Sequence, residues 1–159
     1  MRVALGADHA GYPFKDFVRQ QLTALGHEVV DCGTFSEDPV DFPDITAATA
    51  RAVLSGDAER GVLVCGSGAG AIMAANKIDG IRCALTHEPY SAHQAVEHDD
   101  ANMIAMGAWL APRALVKDIL EAFLTADFDS DDDTIRRVDK LHALETRSLE
   151  QYLAENLPN

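Results

Sequence analysis

The fold this sequence predicts is an α/β protein: a five-stranded parallel sheet with helices on both faces. Three observations predict it. Short apolar, strand-like runs alternate with amphipathic helical stretches along the chain. One run, Gly61–Cys65, is apolar without interruption, as a strand buried on both faces requires. The helical stretches also fall between successive strands, where parallel pairing needs right-handed crossovers. The chain has 159 residues, 47% of them hydrophobic, which suits the core of one domain spanning 1–159.

Arg2–Gly6 reads as the first strand and ends at the turn Ala7-Asp8-His9-Ala10-Gly11. From Pro13 to Leu25, the residues Phe14, Phe17, Val18, Leu22 and Leu25 recur at helical spacing, and Gly26 supplies the stop. Glu28–Cys32 is a Val-rich second strand, and Gly33–Pro43 a long connection of the kind that often carries function. Asp44–Leu54 is Ala-rich and helical. After the third strand, Gly66-Ser67-Gly68-Ala69-Gly70 opens a helix running to about Lys77. Ile81–Leu85, Ser91–His98, Asn102–Met106 and Ala114–Leu124 continue as strand, helix, strand and helix. The acidic stretch Asp127–Asp133 is either a linker or the first turn of a last helix, where carboxylates suit the dipole. Ile135, Val138, Leu141, Leu144, Leu149 and Leu153 then keep a helical stripe over about 132–157. That tail has no strand of its own to cover, so it docks on a partner subunit or on its own domain.

Charge excludes whole classes of partner. Thirteen Lys+Arg stand against 26 Asp+Glu, a net −13, which phosphate backbones and anionic headgroups repel. No nucleic-acid or membrane partner is expected, and no apolar run reaches the ~18 residues of a span. The opening Met1–Asp8 meets an acid too early for a signal peptide. Cys32, Cys65 and Cys83 cannot all pair within one chain and lack metal-ligand spacing, so a reducing cytoplasm is the expected setting.

Ligands in open α/β sheets bind outside the C-terminal ends of the strands. Asp8-His9, Cys65 with its glycine loop, and His87 fall at that edge. His98-Asp99-Asp100-Ala101-Asn102, before the fifth strand, reaches it only if the connection bends back. A dinucleotide reading fails, because Asp8 stands where the fingerprint needs a glycine beside pyrophosphate; the same carboxylate suits a sugar hydroxyl. Gly66–Gly70 lacks the Lys-Ser/Thr of a P-loop, yet its N–H groups can hold an oxyanion. Cys65, at a strand end beside a helix start, is either a small buried hydrophobe or a functional thiolate. Ala71-Ile72 stand where a cysteine phosphatase needs arginine, and no Cys-x-x-Cys supports redox work. Cys32, Cys83, His27, His87, His93 and His142 read as structural. His9 and His98, flanked by carboxylates, read as solvent-near and titrating.

Gly6–Gly11, Asp41-Phe42-Pro43-Asp44, Cys65–Gly70, Ala74-Ala75-Asn76-Lys77, Gly80-Ile81-Arg82, Glu88-Pro89-Tyr90-Ser91-Ala92 and His98…Asn102 together resemble the type B ribose-5-phosphate isomerase family, which includes galactose-6-phosphate isomerase subunits. The match runs through about residues 1–126, with a looser continuation. The resemblance implies a Rossmann-like sheet, a homodimer or tetramer with sites between subunits, and aldose–ketose isomerisation through a cis-enediolate without metal or organic cofactor. By position it implies Cys65 as the base, with Ser67 and the amides of Gly66, Gly68, Ala69 and Gly70 holding enediolate charge. Asp8 would bind sugar hydroxyls, His98 would assist ring opening, and His9 with arginines would hold phosphate. Asp99 takes the place of the usual Asn, and Phe42 that of a Tyr. Trp109 and Asp133 take the places of two phosphate arginines, leaving Arg137, with Arg113 and Arg136 as possible substitutes. Each lost charge-assisted contact is worth roughly 1.5–3 kcal/mol, so two losses cost roughly two or more decades in affinity.

With the Cys65 loop, Asp8, His9 and His98 intact, ribose 5-phosphate/ribulose 5-phosphate is the leading substrate pair. The same chemistry on a tetrose 4-phosphate, a hexose 6-phosphate or a free sugar is the second reading. A non-catalytic sugar-binding partner of a paralogue is the third.

Overall fold

The computed structural model describes residues 1–157; the last two positions of the single-domain assignment lie outside the described residues. Its elements are β1 (Arg2–Ala7), α1 (Tyr12–Ala24), β2 (Glu28–Asp31), α2 (Phe42–Leu54), β3 (Arg60–Cys65), α3 (Ala69–Ala75), β4 (Cys83–Leu85), α4 (Pro89–Asp99), β5 (Met103–Gly107), α5 (Arg113–Thr125), α6 (Asp132–Thr146) and α7 (Leu149–Asn156). The five strands are parallel, in the order β2-β1-β3-β5-β4.

Alternation along β3 divides the core into two layers. Val62 and Val64 pack with Phe14, Val18, Val96, Ile119 and Phe123 from α1, α4 and α5. Leu63 and Cys65 face the other way, among Ala50, Ala71, Ala75 and Met103, under α2 and α3. From β1 the chain moves outward to β2; from β3 it moves to the opposite side of the sheet. The loops after β1 and β3 therefore diverge above adjacent strand ends, in register at Ala7 and Val64. That reversal opens a crevice at the C-terminal edge.

Several boundaries differ from the sequence expectation. The fourth strand begins at Cys83 instead of Ile81, because Ile81 and Arg82 are held in a turn: Arg82 N–H donates to Asn102 Oδ1 (3.0 Å) and Ile81 N–H to Ile78 O (3.0 Å). The α2 helix starts two residues early, at Phe42, with Pro43 in its first turn, where a missing N–H costs nothing. The α3 helix stops at Ala75, and Asn76 caps it while bridging to Cys83 through two 2.8 Å bonds. The single helix expected over 132–157 is two. Arg147 is extended, and Ser148 and Gln151 form a capping box that starts α7 afresh. The acidic stretch is resolved as a helix start: Asp131 Oδ1 accepts from Thr134 N–H at 2.7 Å, and this bond holds the Asp131 carboxyl below its usual range. The α6 helix meets its own domain where Gly80 N–H donates to Glu145 (3.2 Å), while Ile135, Leu141, Leu144, Leu149 and Leu153 keep 40–60% of their surface exposed.

Candidate active site

Asp8 follows the last residue of β1, and its N–H continues the ladder to Val64 O (3.2 Å). One carboxylate oxygen accepts from Gly11 N–H at 2.8 Å, which fixes the side chain over the start of α1. His9 is exposed, and its Nδ1 pairs with the Val40 peptide (3.2 Å to O, 3.3 Å to N), the tautomer deciding which group donates. His9 thus ties the long 33–41 connection to the crevice.

Cys65 closes β3 with its side chain buried. Gly68 N–H donates to its Sγ at 3.0 Å. The loop can present that N–H because Gly68 adopts φ +85°, a left-handed conformation that a side chain resists. A backbone N–H aimed at sulfur is a hydrogen bond that strengthens when its acceptor carries charge. Ala69 N–H donates to the exposed Ser67 Oγ (3.3 Å). The Gly68 and Ala69 amides expected to meet a developing oxyanion are therefore turned onto the loop's own side chains, leaving the Ser67 hydroxyl as the exposed polar group.

Apolar side chains from three other segments crowd the loop. The Trp109 indole lies across Gly66, where an added methyl would meet the ring at 2.6 Å. Leu85 covers Gly68, and Phe42 lies against Gly70, whose added methyl would stand 3.3 Å from its ring. His87 belongs to this edge as well: its Nε2 accepts from Gly107 N–H at 3.0 Å, and Gly107 pairs in register with Cys65. Its position two residues past β4 marks it as edge-facing in the sequence, but no neighbouring pattern separates it from a structural histidine.

The other expected residues lie elsewhere. His98 and Asp99 occupy the last turn of α4, which runs back to the start of β5. Met103 is level with Gly61 and Gly107 with Cys65, so four residues of strand, roughly 13 Å, separate the two sheet edges. One chain does not bring His98 to Cys65. Near His98, Asp129 N–H donates to Glu97 O (2.8 Å), which brings the start of α6 alongside. There Asp133 pairs with Arg136 (2.5 Å) and Arg137 (3.5 Å). Asp99, Arg82, Leu141 and Leu144 line a cleft of about 660 Å³ at this second edge. Arg113 stands at the first edge with its guanidinium over the rings of Phe14 and Phe17, at 4.8 and 4.7 Å.

The family model described as Ribose/Galactose Isomerase matches residues 3–141. The chain belongs to that family. It is 37% identical over 146 residues to ribose-5-phosphate isomerase B of Escherichia coli K12, covering 92% of this chain and 97% of that one. It is 36% identical over 129 residues to the 4-deoxy-4-sulfo-D-erythrose isomerase of Clostridium sp. MSTE9, covering 80% and 81%. The solved structure of Clostridium thermocellum ribose-5-phosphate isomerase B superposes with a TM-score of 0.88 at 38% identity, covering 92% of this chain and 98% of that one. Several residues within the matched range hold the fold. Asn76 bridges to Cys83; Asn102 joins the Arg82 N–H to Gly80 O (2.8 Å); Arg82 binds Asp100.

Burial acts on two of the thiols in the same direction. Burial pushes the Cys83 thiol up to about 12 and raises that of Cys32. A raised thiol carries less thiolate at neutral pH, so iodoacetamide at pH 7 is expected to leave Cys83 unmodified in the native protein. Peptide mass mapping of the native protein checks this.

Proposed function

We propose that this chain is an aldose–ketose isomerase interconverting ribose 5-phosphate and ribulose 5-phosphate, with Cys65 as the base. The observation that carries the reading is the Gly68 N–H···Sγ bond at 3.0 Å, at a strand end beside Asp8 and Ser67, in a chain of the ribose/galactose isomerase family. The Cys65 thiolate takes the proton from C2 of the open-chain aldose. The resulting enediolate carries its charge on O1 and O2, and the same sulfur returns the proton to C1 as the hydroxyl proton passes from O2 to O1. Ser67 donates to the enediolate oxygens, and the free carboxylate oxygen of Asp8 accepts from a sugar hydroxyl. His98 assists ring opening, with Asp99 and Arg137 beside it. Because His98 lies at the opposite sheet edge of its own chain, the reading requires two copies, each supplying His98 to the other's Cys65. The half-exposed leucines of α6 and α7 are the surface proposed to join them, and three free cysteines suit a reducing cytoplasm.

A second reading concerns chain length. Asp133 pairs with both Arg136 and Arg137 and offsets half of their charge, which weakens the grip on a five-carbon sugar's phosphate, and one relative carries the name of a four-carbon sulfosugar isomerase. A turnover screen of the purified protein over ribose 5-phosphate, tetrose 4-phosphates, hexose 6-phosphates and the free sugars tests both. Highest kcat/KM on ribose 5-phosphate is expected. A preference for four-carbon substrates supports the second reading, and no turnover on any of them contradicts the isomerase reading.

A further inference from the structure

The chain has one tryptophan, Trp109, and it stands 75% exposed. A large aromatic left in water forgoes the burial that normally accounts for its place in a fold. Its position is nevertheless fixed. The Trp109 N–H donates to Gly66 O at 3.0 Å, and the preceding Ala108 N–H donates to Cys65 O at 2.8 Å. The backbone behind the indole is thus anchored to the two residues that end β3 and begin the glycine loop. The ring lies across Gly66 at a distance no side chain there would permit, since an added methyl would stand 2.6 Å from it. Gly66 is itself buried, so one part of the indole is seated on the loop and most of it faces solvent at the mouth of the crevice. Asp8 stands at the end of β1, on the opposite side of β3 from Trp109.

That juxtaposition, a flat apolar wall on one side of a thiol and a carboxylate on the other, matches the two chemistries of a sugar. A carbohydrate presents hydroxyls along its edges and an apolar C–H face between them. Small-molecule sites bind such ligands with an aromatic surface for the face and a few placed polar groups for the edges. We propose that Trp109 is a specificity-determining residue of the Cys65 site, its indole packing against the C–H face of the sugar carbon chain while Asp8 takes a hydroxyl. The inference rests on the isomerase reading and adds to it the contact that selects a carbon skeleton at this wall.

Because Trp109 is the sole tryptophan, its emission reports this contact directly. The first measurement is intrinsic fluorescence of the Cys65→Ala protein, which consumes ribose 5-phosphate about 10²-fold or more slowly than the parent, titrated with that sugar against inorganic phosphate as control. The second is steady-state kinetics of Trp109→Phe and Trp109→Ala, with thermal melts to establish that both fold. A saturable emission change caused by the sugar and not by phosphate is expected. In kinetics, Trp109→Ala should lower kcat/KM by about tenfold, mostly through KM, and Trp109→Phe should restore it to within about threefold. An emission unmoved at saturating sugar, or a Trp109→Ala enzyme within twofold of the parent, overturns the proposal. A parent protein that isomerises no sugar sinks the isomerase reading, while the fluorescence titration still decides whether a sugar touches Trp109.

Discussion

Replacing Cys65 with alanine is expected to lower kcat on ribose 5-phosphate by about 10²–10⁴-fold, the range a positioned acid–base group supplies. The change removes one sulfur atom from a site whose loop is held by backbone geometry, including the Gly68 conformation at φ +85° and the Trp109 N–H···Gly66 O bond. The fold should therefore survive, with a circular dichroism spectrum matching the parent's. KM should change little, because Ser67 and Asp8 remain in place to bind the sugar. The split between kcat and KM is the informative part. A loss in kcat alone assigns Cys65 to proton transfer, whereas a loss shared with KM or with thermal stability would make it a packing residue. Cys65→Ser is the useful companion: it keeps the size and the hydrogen bond from Gly68, but a hydroxyl is a far weaker base at neutral pH, so it should be nearly as slow.

His98 carries the second large effect. Its substitution by alanine is expected to slow ribose 5-phosphate turnover by about 10²-fold or more, as loss of a ring-opening acid–base group would. A tetrose 4-phosphate, with its 4-oxygen esterified, has no five-membered ring to open and should be far less affected. Roughly 13 Å of strand separates the Cys65 and His98 edges within one chain, so the two substitutions should complement each other in mixed assemblies. When Cys65→Ala and His98→Ala chains are refolded together, each mixed dimer holds one site with both native groups and one with neither. With statistical mixing, activity should recover to about a quarter of the parent's. Recovery no greater than the sum of the separate variants would mean that His98 does not serve a neighbouring copy's Cys65.

These two residues also show what the sequence makes legible. Cys65 and its loop are contiguous, so strand, thiol and glycines appear together in ten residues. Asp8 is legible for a related reason, since both strands end at one sheet edge and adjacent strands bring their ends together. His98 is not legible in the same way. Whether the segment before β5 reaches the Cys65 edge depends on the course of α4, and α4 ends at the opposite edge. The collar of Trp109, Leu85 and Phe42 draws on three segments, and periodicity within any one of them is silent about which glycine it meets. The break between α6 and α7 was available in the Ser148 and Gln151 pair, but the leucine stripe runs through it unchanged. The acidic stretch illustrates a rule that held once its context was known: Asp131 caps α6, and Asp133 answers two arginines. The net charge of −13 is partly spent in this way on local pairing, and part of it sits where phosphate would otherwise find free cations.

Cys65 is proposed to move a proton between adjacent carbons through an enediolate. Proton NMR of ribose 5-phosphate incubated with the protein in D2O tests it most directly. Conversion to ribulose 5-phosphate is expected, with loss of the C2 proton signal from the remaining aldose as the sulfur-bound proton exchanges with solvent, and both events about 10²-fold or more slower with Cys65→Ala. Conversion with the proton wholly retained, or equal conversion by Cys65→Ala, would contradict it.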